Sequence, residues 1–202
     1  MKIFLCPSIH NIEGKNALLK KGFPFVLTLP DTALLHIKRP FFIPDFADMC
    51  KVQLCLAIRI SRLGRSIDLR FAHRYYDAYT AAVLFSAHPL LENLIACGLP
   101  RDIACGFDDA LAVGNFCDRN AANDVIAEQA TLWVDGRIVQ KIGSGVPFAE
   151  VDALIAAISS FYTLRQGDLL LFEMVGEGTQ VLENNHLELN MDDRCVLSFN
   201  VK

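Results

Sequence analysis

The chain reads as an α+β fold, mainly β with a few attached helices, and three observations lead there. Short apolar or alternating runs recur along the sequence, two of them flank an Asp-Gly pair, and helical spacing of apolar residues is confined to a minority of segments. Strands and helices do not alternate regularly, which argues against a βαβ enzyme.

Taken in order, strands are expected at 3–6, 25–29 and 52–60. Helical spacing then covers 67–85 and 90–97. Strands at 130–134 and 137–140 are separated by Asp135-Gly136, which tolerates the positive φ of a tight primed turn and so predicts a hairpin. Val151, Leu154, Ile155 and Ile158 share one face of a helix over 151–161. Strands at 169–172 and 196–201 complete the set, with Asp192-Asp193 in a water-facing hairpin turn. Trp133 reads as a sheet-face anchor, and His36, His73 and His186, which lack metal-ligand spacing, as surface or capping residues. Phe41-Phe42 suits core packing and an oligomer interface equally.

Composition sets outer bounds. With 202 residues, 52% hydrophobic and 21% charged, residues 1–202 suffice for a single domain with a substantial core. A formal net charge of -4 offers no basic field for a phosphate backbone, so nucleic acid is not expected as a partner. Lys20-Lys21 and the series Arg59, Arg62, Arg65 read as solvated surface. Seven cysteines at irregular spacing show neither a Cys-x-x-Cys nor a zinc-site cluster, which fits reduced thiols and a cytoplasmic setting. The apolar run at 3–6 is too short for a signal peptide or a membrane span. Gly143, Gly145, Gly176 and Gly178 read as loop glycines, and none belongs to a Gly-x-Gly-x-x-Gly cradle.

Four segments carry a more specific signal. Pro30-Asp31-Thr32-Ala33-Leu34-Leu35, followed by the proline-rich 40–44, resembles a Lys-Pro-x-Ser-Ala-Leu segment and its continuation. Phe71-Ala72-His73-Arg74-Tyr75-Tyr76-Asp77 is similar to a helix of a bacterial branch, and Phe161-Tyr162-Thr163-Leu164-Arg165-Gln166-Gly167-Asp168 to a Phe-x-Thr-Leu-x-x-Gly-Asp block. With 30–35 and 40–44 taken separately these are four, and Lys51-Val52-Gln53 stands where the resembled pattern has Glu-x-Glu. Together they resemble the fumarylacetoacetate hydrolase family across nearly the whole chain. The resemblance implies a β-sandwich roll with peripheral helices, usually a homodimer, with magnesium or calcium held by three carboxylates.

This chain departs from that pattern at every shell. Period-two alternation would aim residues 51 and 53 at one face, but they are Lys51 and Gln53. Aligned through Tyr79-Thr80, Leu84 takes the place of the third carboxylate and His88 that of an arginine. Cys105 stands where a lysine precedes Ser-Phe-Asp, while Phe107-Asp108 is kept. Glu13 and Asn16 align with a His-Glu base pair, Ser144 with a Gly-Asn-Thr loop, and Phe172-Glu173-Met174-Val175 with a Thr-Gly-Thr-Pro turn. Phe172 and Met174 are expected to crowd the pocket. Hard divalent ions need charged oxygen ligands, so neither a metal nor any other cofactor is expected.

Lys51, Gln53, Leu84, His88, Cys105, Asp108, Ser144 and Glu173 are therefore the candidate pocket, read as vestigial, with no confident catalytic residue. A Lys51–Glu173 salt bridge filling the vacated ion position is one expectation. A Cys105 nucleophile with His88 as base and Asp108 as orienter is another. If ions bind, Asp48, Asp108 or Glu173 would have to rebuild the site. Three functions compete. The first is a catalytically inactive binding or partner subunit, homodimeric or paired with an active paralogue. The second is a metal-dependent hydrolase, decarboxylase or isomerase of a β-diketo or 2-oxo dicarboxylic acid. The third is a metal-free binder of an anionic keto acid through Lys51 and His88.

Overall fold

The structure is a computed structural model that describes residues 1–6, 26–36, 39–122, 125–143, 145–173 and 178–202. In chain order the strands are β1 (Ile3–Cys6), β2 (Leu27–Leu29), β3 (Cys50–Ile60), β4 (Tyr76–Ala87), β5 (Leu111–Val113), β6 (Cys117–Asp118), β7 (Val125–Ile126), β8 (Ala130–Val134), β9 (Arg137–Ile142), β10 (Val146–Pro147), β11 (Leu169–Glu173), β12 (Thr179–Val181), β13 (His186–Met191) and β14 (Arg194–Asn200). The α-helices are α1 (His88–Ala96), α2 (Asp102–Cys105) and α3 (Phe148–Phe161). The α+β class expected from the sequence holds.

Among the described residues a large sheet runs β2-β1-β11-β3-β4-β5, with β12 also on β3 and β6 also on β4. A second sheet runs β14-β13-β8-β9. Even-numbered residues of β3, from Val52 to Ile60, face the main core together with Leu132 and Leu189 of the second sheet and Val151, Ile155 and Ile158 of α3. Phe41 stacks on Phe85, which meets Phe199 of β14 edge-on. The odd-numbered Cys55 and Ala57 join Ile3, Leu5, Leu84, Cys105 and Leu171 in a smaller apolar cluster on the opposite face.

Strands at 3–6 and 130–134 fall where the sequence places them, and the hairpin closes through Asp135 and Gly136, both at positive φ. Asp192 and Asp193 also turn at positive φ and are exposed, as expected. The helix expected over 67–85 is a correction. Residues Leu69–Arg74 form a 3-10 helix, and the rest is β4, a central strand buried on both faces over most of its length. A run that is apolar on both faces satisfies helical and strand spacing at once, so periodicity cannot separate them.

Two devices fix β3. On one edge it pairs with β4 throughout. The other edge is shared by β11, opposite Cys55 to Arg59, and β12, opposite Cys50 to Val52. Gln140 of β9 bridges the gap between them. Its Oε1 accepts from the Leu54 N–H at 2.7 Å, while its Nε2 donates to the Val52 carbonyl at 2.8 Å and to Thr179 Oγ1 at 2.9 Å. One amide thus substitutes for a ladder rung and ties the two sheets together beside Gln53.

Candidate functional site

Alternation along β3 does aim Lys51 and Gln53 at the same face, the one carrying the smaller apolar cluster. Antiparallel register sets Leu84 opposite Gln53 and Ser86 opposite Lys51 on β4, and Glu173 of β11 opposite Cys55. Lys51, Gln53, Leu84 and Glu173 therefore share one surface of the sheet. Cys105, at the end of α2, packs into the same cluster. Asp108 is exposed beyond it, and Ser144, Glu13, Asn16, Lys20, Lys21 and Met174 lie outside the described residues.

Lys51 Nζ lies 2.8 Å from His88 Nε2. His88 opens α1, where its backbone N–H donates to the Met49 carbonyl at 2.9 Å. The same Nε2 lies 3.1 Å from Glu92 Oε1, one turn along the helix. A single imidazole nitrogen cannot serve both neighbours alike. Unprotonated, Nε2 accepts from the Lys51 ammonium; protonated, it donates to the Glu92 carboxylate.

Glu173 pairs elsewhere, with Arg101 Nη2 3.7 Å from its Oε2. Burial pushes the Glu173 carboxyl above its ordinary range, and the Arg101 charge partly offsets this. Cys105 Sγ donates to the Arg101 carbonyl at 3.3 Å. Its pKa is pushed up to about 11, first by burial, with Arg101 lowering and Glu173 raising it.

Three expectations are corrected by this geometry. The Lys51–Glu173 salt bridge does not form, because Glu173 lies opposite Cys55, four residues and about 13 Å along the strand from Lys51. The Cys105–His88–Asp108 arrangement is not assembled: the thiol is held neutral against a backbone carbonyl, His88 is engaged by Lys51 and Glu92, and Asp108 faces water. Phe172 does not crowd the pocket, since it lies opposite Leu56 and packs against the main core on the other face.

Residues 51, 53 and 84 do not fit a divalent ion: two carry nitrogen or amide groups and the third is aliphatic. Among the described residues no group of three His, Cys, Asp or Glu side chains could hold a metal, so Asp48, Asp108 and Glu173 do not rebuild one. Beside the site, Ala87 and Pro89, which flank His88, line a cavity of about 750 Å³ together with Asp48, Leu90, Asp102 and Phe107.

Sequence reasoning missed Glu92 and Arg101. Glu92 stands four positions after His88, but the expected helix began at Leu90, so the spacing did not mark a helical pair. Arg101 carried no local signal either, because its partner lies on β11.

The sequence from residue 3 to residue 198 matches the model of the fumarylacetoacetate hydrolase C-terminal region. The chain belongs to the fumarylacetoacetate hydrolase family. A mitochondrial oxaloacetate decarboxylase of Dictyostelium discoideum is 32% identical over 164 residues, 80% of this chain and 74% of that protein. The mitochondrial oxaloacetate tautomerase fahd-1 of Caenorhabditis elegans is 23% identical over 193 residues, 96% of this chain and 89% of its own length. The crystal structure of a Pseudomonas aeruginosa fumarylpyruvate hydrolase, in complex with Mn2+ and pyruvate, superposes with a TM-score of 0.79 at 19% identity, covering 100% of this chain and 89% of that one. This family fold accounts for the two sheets described above. Among the described residues, no helix is long and apolar enough to cross a membrane.

Proposed function

We propose that this chain is an enzyme that isomerises or decarboxylates a small 2-oxo dicarboxylic acid, with the Lys51–His88 pair in the role that charge from a divalent ion would otherwise fill. The observation that carries this reading is the 2.8 Å contact between the two side chains at a position where the family has metal-binding carboxylates. Both reactions develop negative charge on the oxygen of the substrate's ketone, and a cation fixed beside that oxygen stabilises it more as the charge grows. Relatives named as oxaloacetate decarboxylase and oxaloacetate tautomerase support the substrate class. They support an enzyme over the inactive subunit expected from the sequence.

The subunit reading keeps one observation in its favour, the replacement of three carboxylates by Lys51, Gln53 and Leu84. It entails pairing with itself or with a metal-bearing relative. The test is oxaloacetate turnover, followed as enol-to-keto conversion and as carbon dioxide release, with and without a chelator, beside calorimetry with magnesium, calcium and manganese. Turnover that resists chelation, without stoichiometric heat from the ions, is expected. Activity abolished by chelation and restored by an ion would overturn the metal-free part. No turnover in either condition would return the partner-subunit reading to first place.

A further inference from the structure

We infer that Lys51 is a covalent catalytic residue whose amine forms an iminium with the ketone carbon of a 2-oxo acid, an inference that rests on the substrate class proposed above. Four observations at one place point to it. The Lys51 amine has an imidazole nitrogen, not a carboxylate, as its close partner at 2.8 Å, and among the described residues no acidic oxygen lies within ion-pair distance of it. The side chain is half-buried, on a sheet face that carries Gln53, Ser86 and Glu173 beside the apolar Leu84, Cys55 and Ala57. Its stem is closely covered, since a Cβ on Gly178 would stand 3.2 Å from Lys51 Cβ and 3.6 Å from its Cδ. Finally, Ala87 and Pro89, on either side of His88, line the 750 Å³ cavity.

A lysine attacks a carbonyl only as the neutral amine, and desolvation together with an adjacent base is what activates it. His88 supplies the base. Its Nε2 takes a proton from the Lys51 ammonium, and the resulting imidazolium then donates to Glu92, 3.1 Å away. The two contacts of one nitrogen are thus the two ends of a proton transfer.

The step balances as follows. Lys51 Nζ bonds to the ketone carbon, and the C=O electron pair moves to oxygen. A proton passes from nitrogen to that oxygen to give a neutral carbinolamine. His88 returns the proton it took, water leaves, and a protonated C=N bond forms. In an acid with a carboxylate β to the ketone, the bond to that carboxylate breaks, carbon dioxide leaves, and the electron pair enters the iminium to give an enamine. Protonation at carbon and addition of water release the product and restore the lysine. Transfer of a C3 proton to His88, with the C–H electron pair moving into the same iminium, yields the same kind of enamine, so isomerisation shares the intermediate.

The experiment is borohydride trapping on the full chain with oxaloacetate, and separately with pyruvate, read by intact mass and peptide mapping. One saturable adduct on Lys51 is expected, absent in Lys51→Arg and Lys51→Met, with turnover lower by about a hundredfold or more in both. His88→Asn is expected to slow trapping at neutral pH and to recover part of the rate at higher pH, a profile that a merely structural histidine would not give. Chelator-resistant turnover that leaves no adduct and survives in Lys51→Arg would overturn the inference while sparing the proposed function. An adduct on Lys51 without turnover would retire the proposed function and keep the lysine chemistry. Trapping spread equally over Lys2, Lys141 and Lys202 would also overturn the inference, and circular dichroism of each variant separates loss of chemistry from loss of fold.

Discussion

Two regions of this molecule can be set against family motifs, the block at 161–168 and the face of β3 around Lys51, and they contrast. At the corner of residues 161–168 the motif is matched, and its Gly-Asp end is tightly bonded. Asp168 is fully buried; its Oδ1 accepts from the Lys2 N–H at 2.8 Å, while its Oδ2 accepts from the Arg165 N–H at 2.8 Å and faces Lys2 Nζ at 2.6 Å. Gly167, at φ +88°, donates its N–H to the Ile60 carbonyl, and Ile60 donates to the Asp168 carbonyl. The corner therefore fastens β1, β3 and β11 to one another. On the face of β3 around Lys51 and Gln53, by contrast, the positions where the resemblance implies three carboxylates carry Lys51, Gln53 and Leu84, and the strand register sets them on one surface. The residues at the corner hold strands together, whereas Lys51 and Gln53 project from a strand that its backbone ladder already holds.

The sharpest way to break this comparison is to place a carboxylate on this face. Leu84 is 4% exposed and belongs to the apolar cluster with Ile3, Leu5 and Leu171. Leu84→Asp removes apolar packing and buries an acid, so a loss of about 4 kcal/mol is expected in urea denaturation with chelator present. Magnesium or calcium is expected not to rescue it, because Lys51 and Gln53 offer no second carboxylate. Rescue by either ion would mean that the face still holds a latent metal site.

The corner at 161–168 gives the next effect in size. Asp168→Ala strips Lys2 of its partner and leaves two N–H donors facing an apolar side chain, and about 3 kcal/mol of stability is expected to go. Denaturation midpoints at constant slope would measure it. A loss under 1 kcal/mol would mean that the block's specificity is not architectural.

The same division explains what the sequence disclosed. Strand and hairpin positions were legible because period-two alternation and Asp135-Gly136 are local signals. The shared face of Lys51 and Gln53 was legible for the same reason, since it needs only alternation. β4 was misread because its apolar residues leave no face unburied, and a doubly buried strand has no period to detect. Partners were the least legible. Lys51 finds His88, 37 positions on, and Arg101 finds Glu173 across a helix and a sheet. Which of two basic residues meets which acid follows from register, so the salt bridge expected for Lys51 belongs to Arg101. Gln140, bonded to β3 some 86 positions away in sequence, had no local mark at all.

The smallest effect separates the two ion pairs most finely. Burial holds the Glu173 carboxyl above its unfolded range, so between its unfolded and folded pKa values the folded chain carries more protons than the unfolded one. Stability from this group is therefore greatest at low pH and falls as pH rises from the ordinary glutamate range through the raised folded value. Arg101 limits that fall by favouring the carboxylate. Glu173→Gln is expected to flatten this part of the stability profile and to change stability at neutral pH by less than about 1 kcal/mol, because the pair is loose and partly solvated. Asp168→Ala leaves the raised Glu173 group in place and should keep the slope while lowering the whole curve. A profile of denaturation midpoints between the acid range and neutrality, taken on both variants, distinguishes a slope change from an offset. An unchanged slope in Glu173→Gln would mean that the carboxyl is wetter than its setting beside Cys105 and Arg101 implies, and that the face around Lys51 is open enough for water to compete with any substrate anion.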